Sequence, residues 1–383
     1  MSALSDADIA QLRARLLAWY DAVARDLPWR RTRDPYAIWV SEVMLQQTRV
    51  DTVLRYYARF LERFPSAPVL AAASEDAVMA AWSGLGYYRR ARLLHSGVRE
   101  VVARYGGQVP SAPEALRALP GVGRYTAGAI GSIAFELPEP IVDGNVARVL
   151  CRVLALEGAP EERALQAVLW DMAARLAQGP RPGALNQALM ELGATVCSKH
   201  APQCLLCPLR EHCAAYAQGR SDELPRARVK KPPRPVALVA LIARAAQPAP
   251  GRAPGEAVWL ARGAGTLFGA LWNLPTAEGR GRAAAHALLV ELGLDGELAT
   301  RPRAEIEHVL THRHLSVQLW DVERARAPQP PDSLRAVALA SLDELGVSSL
   351  TRKALAAAAR AVATHSATAS AAAPAKNRRV RKA

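Results

Sequence analysis

Two carboxylates in this chain stand in opposite chemical settings. Glu42 lies in Ile38-Trp39-Val40-Ser41-Glu42-Val43-Met44-Leu45, so on a helix its neighbours at i−4, i−3 and i+3 are Ile38, Trp39 and Leu45. Apolar surroundings disfavour the charged form, so the acid stays protonated near neutral pH and can serve as a general acid. A helix turned the other way would instead leave Glu42 in solvent or paired with an arginine. Asp143 precedes a second apolar-periodic stretch, Val146, Val149, Leu150 and Val153, and holds the place of an N-cap, where backbone N–H groups favour the ionised form. One protonated and one ionised carboxylate form the pair that glycosidic-bond cleavage requires. The acid protonates the leaving group, and the carboxylate stabilises an oxocarbenium-like sugar.

The stretch before Asp143 is organised around Pro120-Gly121-Val122-Gly123. Its glycines permit a tight turn with outward N–H groups, and the small-residue run 125–135 reads as the helix leaving that turn, so its N-terminus is an anion site. Any helix–helix connection would look similar. Downstream, Cys197-x6-Cys204-x2-Cys207-x5-Cys213 gathers four thiols in one loop. Four thiolates suit tetrahedral zinc or an iron–sulfur cluster; a single C-x2-C pair, where zinc ribbons have two, tilts toward iron and sulfur. Lys199, His200, Arg210 and His212 lie between the ligands and give the loop positive charge. Cys151 stands apart on a helix and reads as a buried, inert thiol.

These groups need a frame. The 383 residues suffice for two domains, and the formal net charge of +14 favours a polyanionic partner, nucleic acid before membrane. No run is long enough to span a bilayer and the first residues lack a signal-peptide core, so the expectation is a soluble intracellular protein, cytoplasmic and nucleoid-associated. Helix follows helix up to residue 218: Ser5 with Asp8 starts one, Asp34-Pro35 opens one running through Val50 toward Phe64, Ser74 caps one, residues 88–105 form another, and Ser111 with Glu114 starts a short one. Residues 161–178 and 182–196 are amphipathic helices. Residues 219–235, rich in Pro, Arg and Lys, read as an exposed linker. β-type runs at 236–243, 257–261, 306–310 and 315–322, with helices at 283–292 and 350–363, then make a small α/β unit, and 364–383 reads as a disordered basic tail.

Leu119-Pro120-Gly121-Val122-Gly123, Val142-Asp143-Gly144-Asn145-Val146 and the cysteine spacing resemble the helix-hairpin-helix DNA glycosylases that carry a four-iron, four-sulfur cluster. Within that superfamily, Pro28-Trp29-Arg30, the run from Trp39 to Thr48, and Gly84-Leu85-Gly86-Tyr87-Tyr88 resemble the MutY family of adenine DNA glycosylases. The resemblance implies a mainly α, two-lobed catalytic domain (1–218, cluster loop 197–213), a linker (219–235) and a MutT-like, Nudix-fold recognition domain (236–363). It also implies removal of adenine mispaired with 8-oxoguanine or guanine in double-stranded DNA, by a monomeric enzyme with the duplex held by both domains.

By resemblance, Glu42 protonates the flipped adenine, Asp143 stabilises the sugar cation, and Asn145 holds the aspartate. Tyr125 stands where related lyases place their Schiff-base lysine, which implies a monofunctional enzyme. Trp29, Arg30, Leu45 and Glu191 match the adenine pocket, Gln47 and Tyr87 the residues that fill the duplex, and the amides near Val122 and Gly123 the phosphate site. Cys197, Cys204, Cys207 and Cys213 match the cluster ligands. In the second domain the family's Phe-Ser-His turn corresponds to Leu310-Thr311-His312. Ala283-Ala284-Ala285-His286-Ala287-Leu288-Leu289-Val290-Glu291 replaces the metal-binding glutamates of a Nudix hydrolase, leaving recognition without nucleotide hydrolysis. Two alternatives remain, a bifunctional oxidised-pyrimidine glycosylase/AP lyase and a non-catalytic DNA-binding protein.

Overall fold

The computed structural model describes residues 4–226, 232–246, 257–262, 269 and 271–371, with side chains up to 361. The chain divides into two compact units, Met1–Lys230 and Lys231–Ala383, each with its own core. Among the described residues no helix is long and apolar enough to cross a membrane.

The first unit is helical: α1 Asp6–Val23, α2 Pro35–Leu45, α3 Val50–Arg63, α4 Ala67–Ala72, α5 Glu75–Ala81, α6 Arg89–Tyr105, α7 Pro113–Ala118, α8 Arg124–Phe135, α9 Gly144–Val153, α10 Arg163–Ala177, α11 Pro182–Thr195 and α12 Ala214–Ala217. Ser5 and Asp8 form a reciprocal capping box on α1, and Ser74 accepts from the Ala77 amide on α5. Helix α2 is started by Asp34, whose side chain accepts from the Tyr36 amide, with Pro35 at the first turn. Every residue from Tyr36 to Met44 is buried, so α2 is a central helix enclosed on all sides rather than an amphipathic one.

Three details differ from expectation. The helix expected to run from Asp34 toward Phe64 is broken after Leu45, where Gln47 takes a left-handed φ of 59° before α3 begins. Ser111 does not cap α7, which starts at Pro113 from Ala112 without a side-chain cap. The first part of the expected linker packs back on the helical unit: Leu224 is buried, and its carbonyl accepts from Arg152 Nε at 2.8 Å.

The hairpin between α7 and α8 depends on Gly121, whose φ of +77° favours glycine, and a Cβ there would lie 2.6 Å from Leu93 Cβ. Gly128 in α8 admits the segment leading to Asp143; a Cβ there would lie 2.2 Å from the Pro140 carbonyl oxygen.

In the second unit, β1 Arg234–Ala245, β2 Ala257–Arg262, β3 Trp272–Asn273, β4 Thr276–Glu278, β5 Asp295–Leu298, β6 Ala304–Val309, β7 Arg313–Arg326 and β8 Leu334–Ala338 form a mixed sheet ordered β3-β2-β1-β7-β5 along its main path. Strands β1 and β7 pair in parallel from Arg234 opposite Arg313, and the other pairings are antiparallel. Leu238, Ala240 and Ile242 join the core under α14 (Ser349–Ala371), whereas Val239, Leu241 and Ala243 join the one under α13 (Gly281–Glu291). The continuous apolar run therefore marks a central strand buried on both faces. Helix α14 extends beyond the expected end at residue 363, into the stretch expected to be disordered; residues 372–383 lie outside the described residues, as does Ala270 of the 269–275 motif.

Gly128→Ala should cost about 1–3 kcal/mol by overpacking against fixed backbone. Thermal unfolding checks this, with Gly144→Ala, where a Cβ would meet nothing within 4 Å, expected to leave Tm near wild type.

Candidate active site

A cavity of about 710 Å³ opens in the helical unit. Its wall brings together Trp29, Arg30, Glu42, Leu45 and Gln47 from the N-terminal stretch with Gly123, Tyr125, Asp143, Asn145 and Glu191. Residues a hundred positions apart thus meet because α8 packs against both α2 and α11, and α11 packs against α9, whose first residues line the same cavity.

Glu42 is 4% exposed and its Oε2 accepts from the Tyr125 hydroxyl at 2.6 Å. Burial pushes its carboxyl up to about 7; the Tyr125 bond opposes the shift, and nearby Asp143 adds to it. Burial and the adjoining carboxylates raise the Tyr125 phenol well above its usual value, so it remains a neutral donor. That hydroxyl also lies 3.4 Å from Met190 Sδ.

Asp143 is the N-cap of α9: its Oδ1 accepts from the Val146 amide at 2.7 Å and its Oδ2 from Asn145 Nδ2 at 3.1 Å. These donors favour the carboxylate, as expected, but burial outweighs them and moves its pKa up rather than down. Glu42 lacks those amide donors, so it is the group that keeps its proton near neutrality. Arg148 Nη2 in turn donates to Asn145 Oδ1 at 2.9 Å, fixing the orientation of the Asn145 amide.

The opposite wall is ionic. Glu191, 1% exposed, accepts from Arg25 Nε and from Arg30 Nη2, each at 2.7 Å. Burial works against its charge, yet the two guanidiniums overcome that and bring its carboxyl to about 2. Arg30 also sits over the Tyr20 ring at 5.3 Å, and buried Trp29 packs edge-on against Tyr57. Arg25 and Met190 escaped the sequence analysis; in sequence Arg25 is one of several charges in an Arg-Asp-rich loop, and nothing local marks its partner 166 residues away.

The anion site differs in one atom. The Val122 amide donates to the Leu119 carbonyl at 3.1 Å and its side chain is buried, so Val122 shapes the turn. Gly123 is the N-cap of α8, and no side chain caps that helix. Tyr87 lies outside the cavity wall, half exposed in the loop before α6, with a left-handed φ of 47°. Thr311 and His312 are exposed in the second unit, in the turn joining β6 to β7.

Cys197, Cys204, Cys207 and Cys213 are free thiols of intermediate burial, and Cys151 is fully buried. The Cys207 thiol is pushed up to about 12, first by burial and further by Cys197, Cys213 and Cys204, so the four lie within electrostatic reach of one another. Among the described residues they do not close on a single-ion point. Arg152, buried in α9, donates to Cys197 Sγ at 3.2 Å and to the Ser198 carbonyl at 2.7 Å. Four thiols on one loop beside the buried Arg152 are chemically the donor type that a thiolate-held cluster uses.

Residues 40–175 match the model of the HhH-GPD superfamily of base excision DNA repair proteins, and residues 252–357 match that of the NUDIX domain. A solved thermostable thymine-DNA glycosylase superposes with a TM-score of 0.51 at 29% identity, covering 55% of this chain and 97% of that one. Fold and site thus define a helix-hairpin-helix base excision repair protein with a Nudix domain appended. Among curated relatives, an adenine DNA glycosylase of Mus musculus is 39% identical over 376 residues, covering 84% of this chain and 72% of the relative. One of Rattus norvegicus is 51% identical over 231 residues, covering 57% of this chain but only 45% of the relative. The chain belongs to the adenine DNA glycosylase family.

Because Glu42 titrates higher folded than unfolded, its stabilising contribution is complete below its unfolded value of 4.5 and is lost as pH rises through about 7. Glu42→Gln should therefore flatten the dependence of Tm on pH across that window and raise Tm at about pH 8. Calorimetry of the two proteins across that range checks it.

Proposed function

We propose that this protein excises adenine mispaired with 8-oxoguanine, or with guanine, from double-stranded DNA by hydrolysis, leaving an abasic site and an intact strand. The observation that carries this is the pair of carboxylates in one cavity, Glu42 pushed up to about 7 and Asp143 held by amide donors. The flipped base enters the cavity between Trp29, Leu45, Arg30 and the Arg25–Glu191 pair, where polar groups meet its edge and apolar ones its faces.

Glu42 gives its proton to a ring nitrogen, the C1′–N bond breaks with its electron pair moving into the base, and adenine leaves neutral. The Asp143 carboxylate, oriented by Asn145, stabilises the oxocarbenium-like sugar until water adds at C1′ and returns a proton to Glu42. Tyr125 has no amine and forms no imine, so strand cleavage is not coupled to excision. Gln47 and Tyr87 fill the space left in the duplex, and amides at Gly123, in the turn shaped by Val122, hold a phosphate. The net charge of +14 supports a nucleic-acid partner, and the proposed setting is that of a nucleoid-associated, cytoplasmic monomer.

Cys197, Cys204, Cys207 and Cys213 would hold a 4Fe–4S cluster, which would cross-link and stiffen their loop, while Lys199 and Arg210 give that loop the positive charge to meet a phosphate backbone. In the second unit Thr311 and His312 would read the oxidised guanine. Helix α13 has Ala283, Ala284 and Ala285 where a Nudix hydrolase needs acidic metal ligands, so nucleotide hydrolysis is not expected.

Single-turnover cleavage of a duplex with one adenine opposite 8-oxoguanine, analysed with and without alkali, tests the reaction. Breaks at adenine only after alkali are expected; breaks without alkali would revive lyase chemistry, and bound but uncleaved duplex would leave a binding protein. Glu42→Gln and Asp143→Asn should each lower the rate by about 10²–10⁴-fold with mismatch binding retained. The wild-type rate should fall as pH rises through about 7, where Glu42 loses its proton.

A further inference from the structure

Arg90 has no part in the chemistry above, yet it is buried near the start of α6 at 9% exposure. Among the described residues no carboxylate forms an ion pair with it and its Nε finds no acceptor, so the cost of burying the guanidinium is met by its two Nη groups alone. Nη1 donates to the carbonyls of Val43 at 2.8 Å, Met44 at 2.9 Å, and Gln46. Nη2 donates to Thr48 Oγ1 at 3.1 Å and to the carbonyls of Leu85 at 3.3 Å and Gly86 at 3.1 Å. The guanidinium also lies 5.5 Å from the Trp82 ring centre and 5.6 Å from that of Tyr87.

Val43 and Met44 lie in the last turn of α2, and the other hydrogen-bond partners belong to two loops more than thirty residues apart in sequence, 46–48 and 85–87. Each contains one side-chain-bearing residue in the left-handed region, Gln47 at φ 59° and Tyr87 at φ 47°. Such conformations persist only where the surroundings over-determine them. Capping the end of α2 alone would need contacts to one loop. A planar fork that reaches carbonyls of both loops does something more.

We propose that Arg90 is a positioning residue that fuses the 46–48 and 85–87 loops into one rigid wedge, so that Gln47 and Tyr87 enter the duplex together. This rests on the duplex-filling role given above to those two residues. A lysine cannot replace it, because one ammonium with three donors does not span both loops. Loss of the clamp lets the loops move independently, and base extrusion suffers while backbone contacts elsewhere persist.

The test uses the full chain with Arg90→Lys and Thr48→Val, and Tyr87→Ala as the reference for a lost wedge. Three quantities are read: single-turnover excision at saturating enzyme, the fluorescence rise of 2-aminopurine placed opposite 8-oxoguanine, and affinity for undamaged duplex. Arg90→Lys should lose at least about tenfold in rate, together with most of the fluorescence rise, while undamaged-duplex affinity stays at wild type. Thr48→Val, which removes a single acceptor, should move the same readouts less and leave Tm unchanged; it decides alone should Arg90→Lys fold poorly. Wild-type rate and fluorescence in the folded variants would overturn the proposal, as would an equal loss of undamaged-duplex binding. A wild-type protein that extrudes 2-aminopurine but excises no adenine would contradict the proposed activity and leave the Arg90 comparison intact.

Discussion

The hydrogen bond between the Tyr125 hydroxyl and Glu42, inside a helix buried on every side, sets the terms for the rest of the molecule. A carboxylic acid surrounded by Ile38, Trp39 and Val43 has a strong electrostatic reason to keep its proton, and only the cavity offers it a polar neighbour. The surrounding helices supply that enclosure. Helix α8 delivers Tyr125 to α2, and the glycine at position 128 lets the segment ending in Asp143 approach closely enough for the two carboxylates to share one space.

The two acidic groups differ in how their charge is met. Asp143 combines a helix N-terminus with an amide side chain, which is itself oriented by Arg148. Glu191, a third carboxylate in the same cavity, sits between two arginines and is driven the other way, to about 2. Three carboxyl groups lining one cavity are thus tuned to different tasks: proton donor, cation stabiliser and fixed anion. The tuning comes from burial and from which donors reach each oxygen, quantities set by tertiary packing.

That origin explains what could be read in the sequence. The setting of Glu42 was partly legible: its helical neighbours Ile38, Trp39 and Leu45 gave it an apolar side, but that the helix is enclosed on every face, which rules out a solvent-facing Glu42, is a product of tertiary packing. The N-cap role of Asp143 was legible because capping is local. The direction of its pKa was not, because burial of Asp143 depends on α2 and α11, far away in the chain. Arg25 and Arg90 were invisible for the same reason: their partners lie on other elements, and exposed and buried arginines look alike in sequence. The break after Leu45 followed from this, since helical periodicity continued through Val50 while Arg90 captured the carbonyls that would have extended the helix. In the second unit, β1 was marked by its continuous apolar run and β7 by its alternation, but β3, β4, β5 and β8 are two to five residues long, too short to show a period.

The protonation state of Glu42 is the most direct point of attack. Difference infrared spectra of the wild type against Glu42→Gln, recorded from about pH 5 to about pH 9, resolve the carbonyl band of a protonated carboxylic acid from carboxylate bands. A protonated band that disappears with a midpoint near 7 is the expected result. A Glu42 that is already a carboxylate at about pH 5 would contradict a buried proton donor, and with it the division of labour between the two carboxylates.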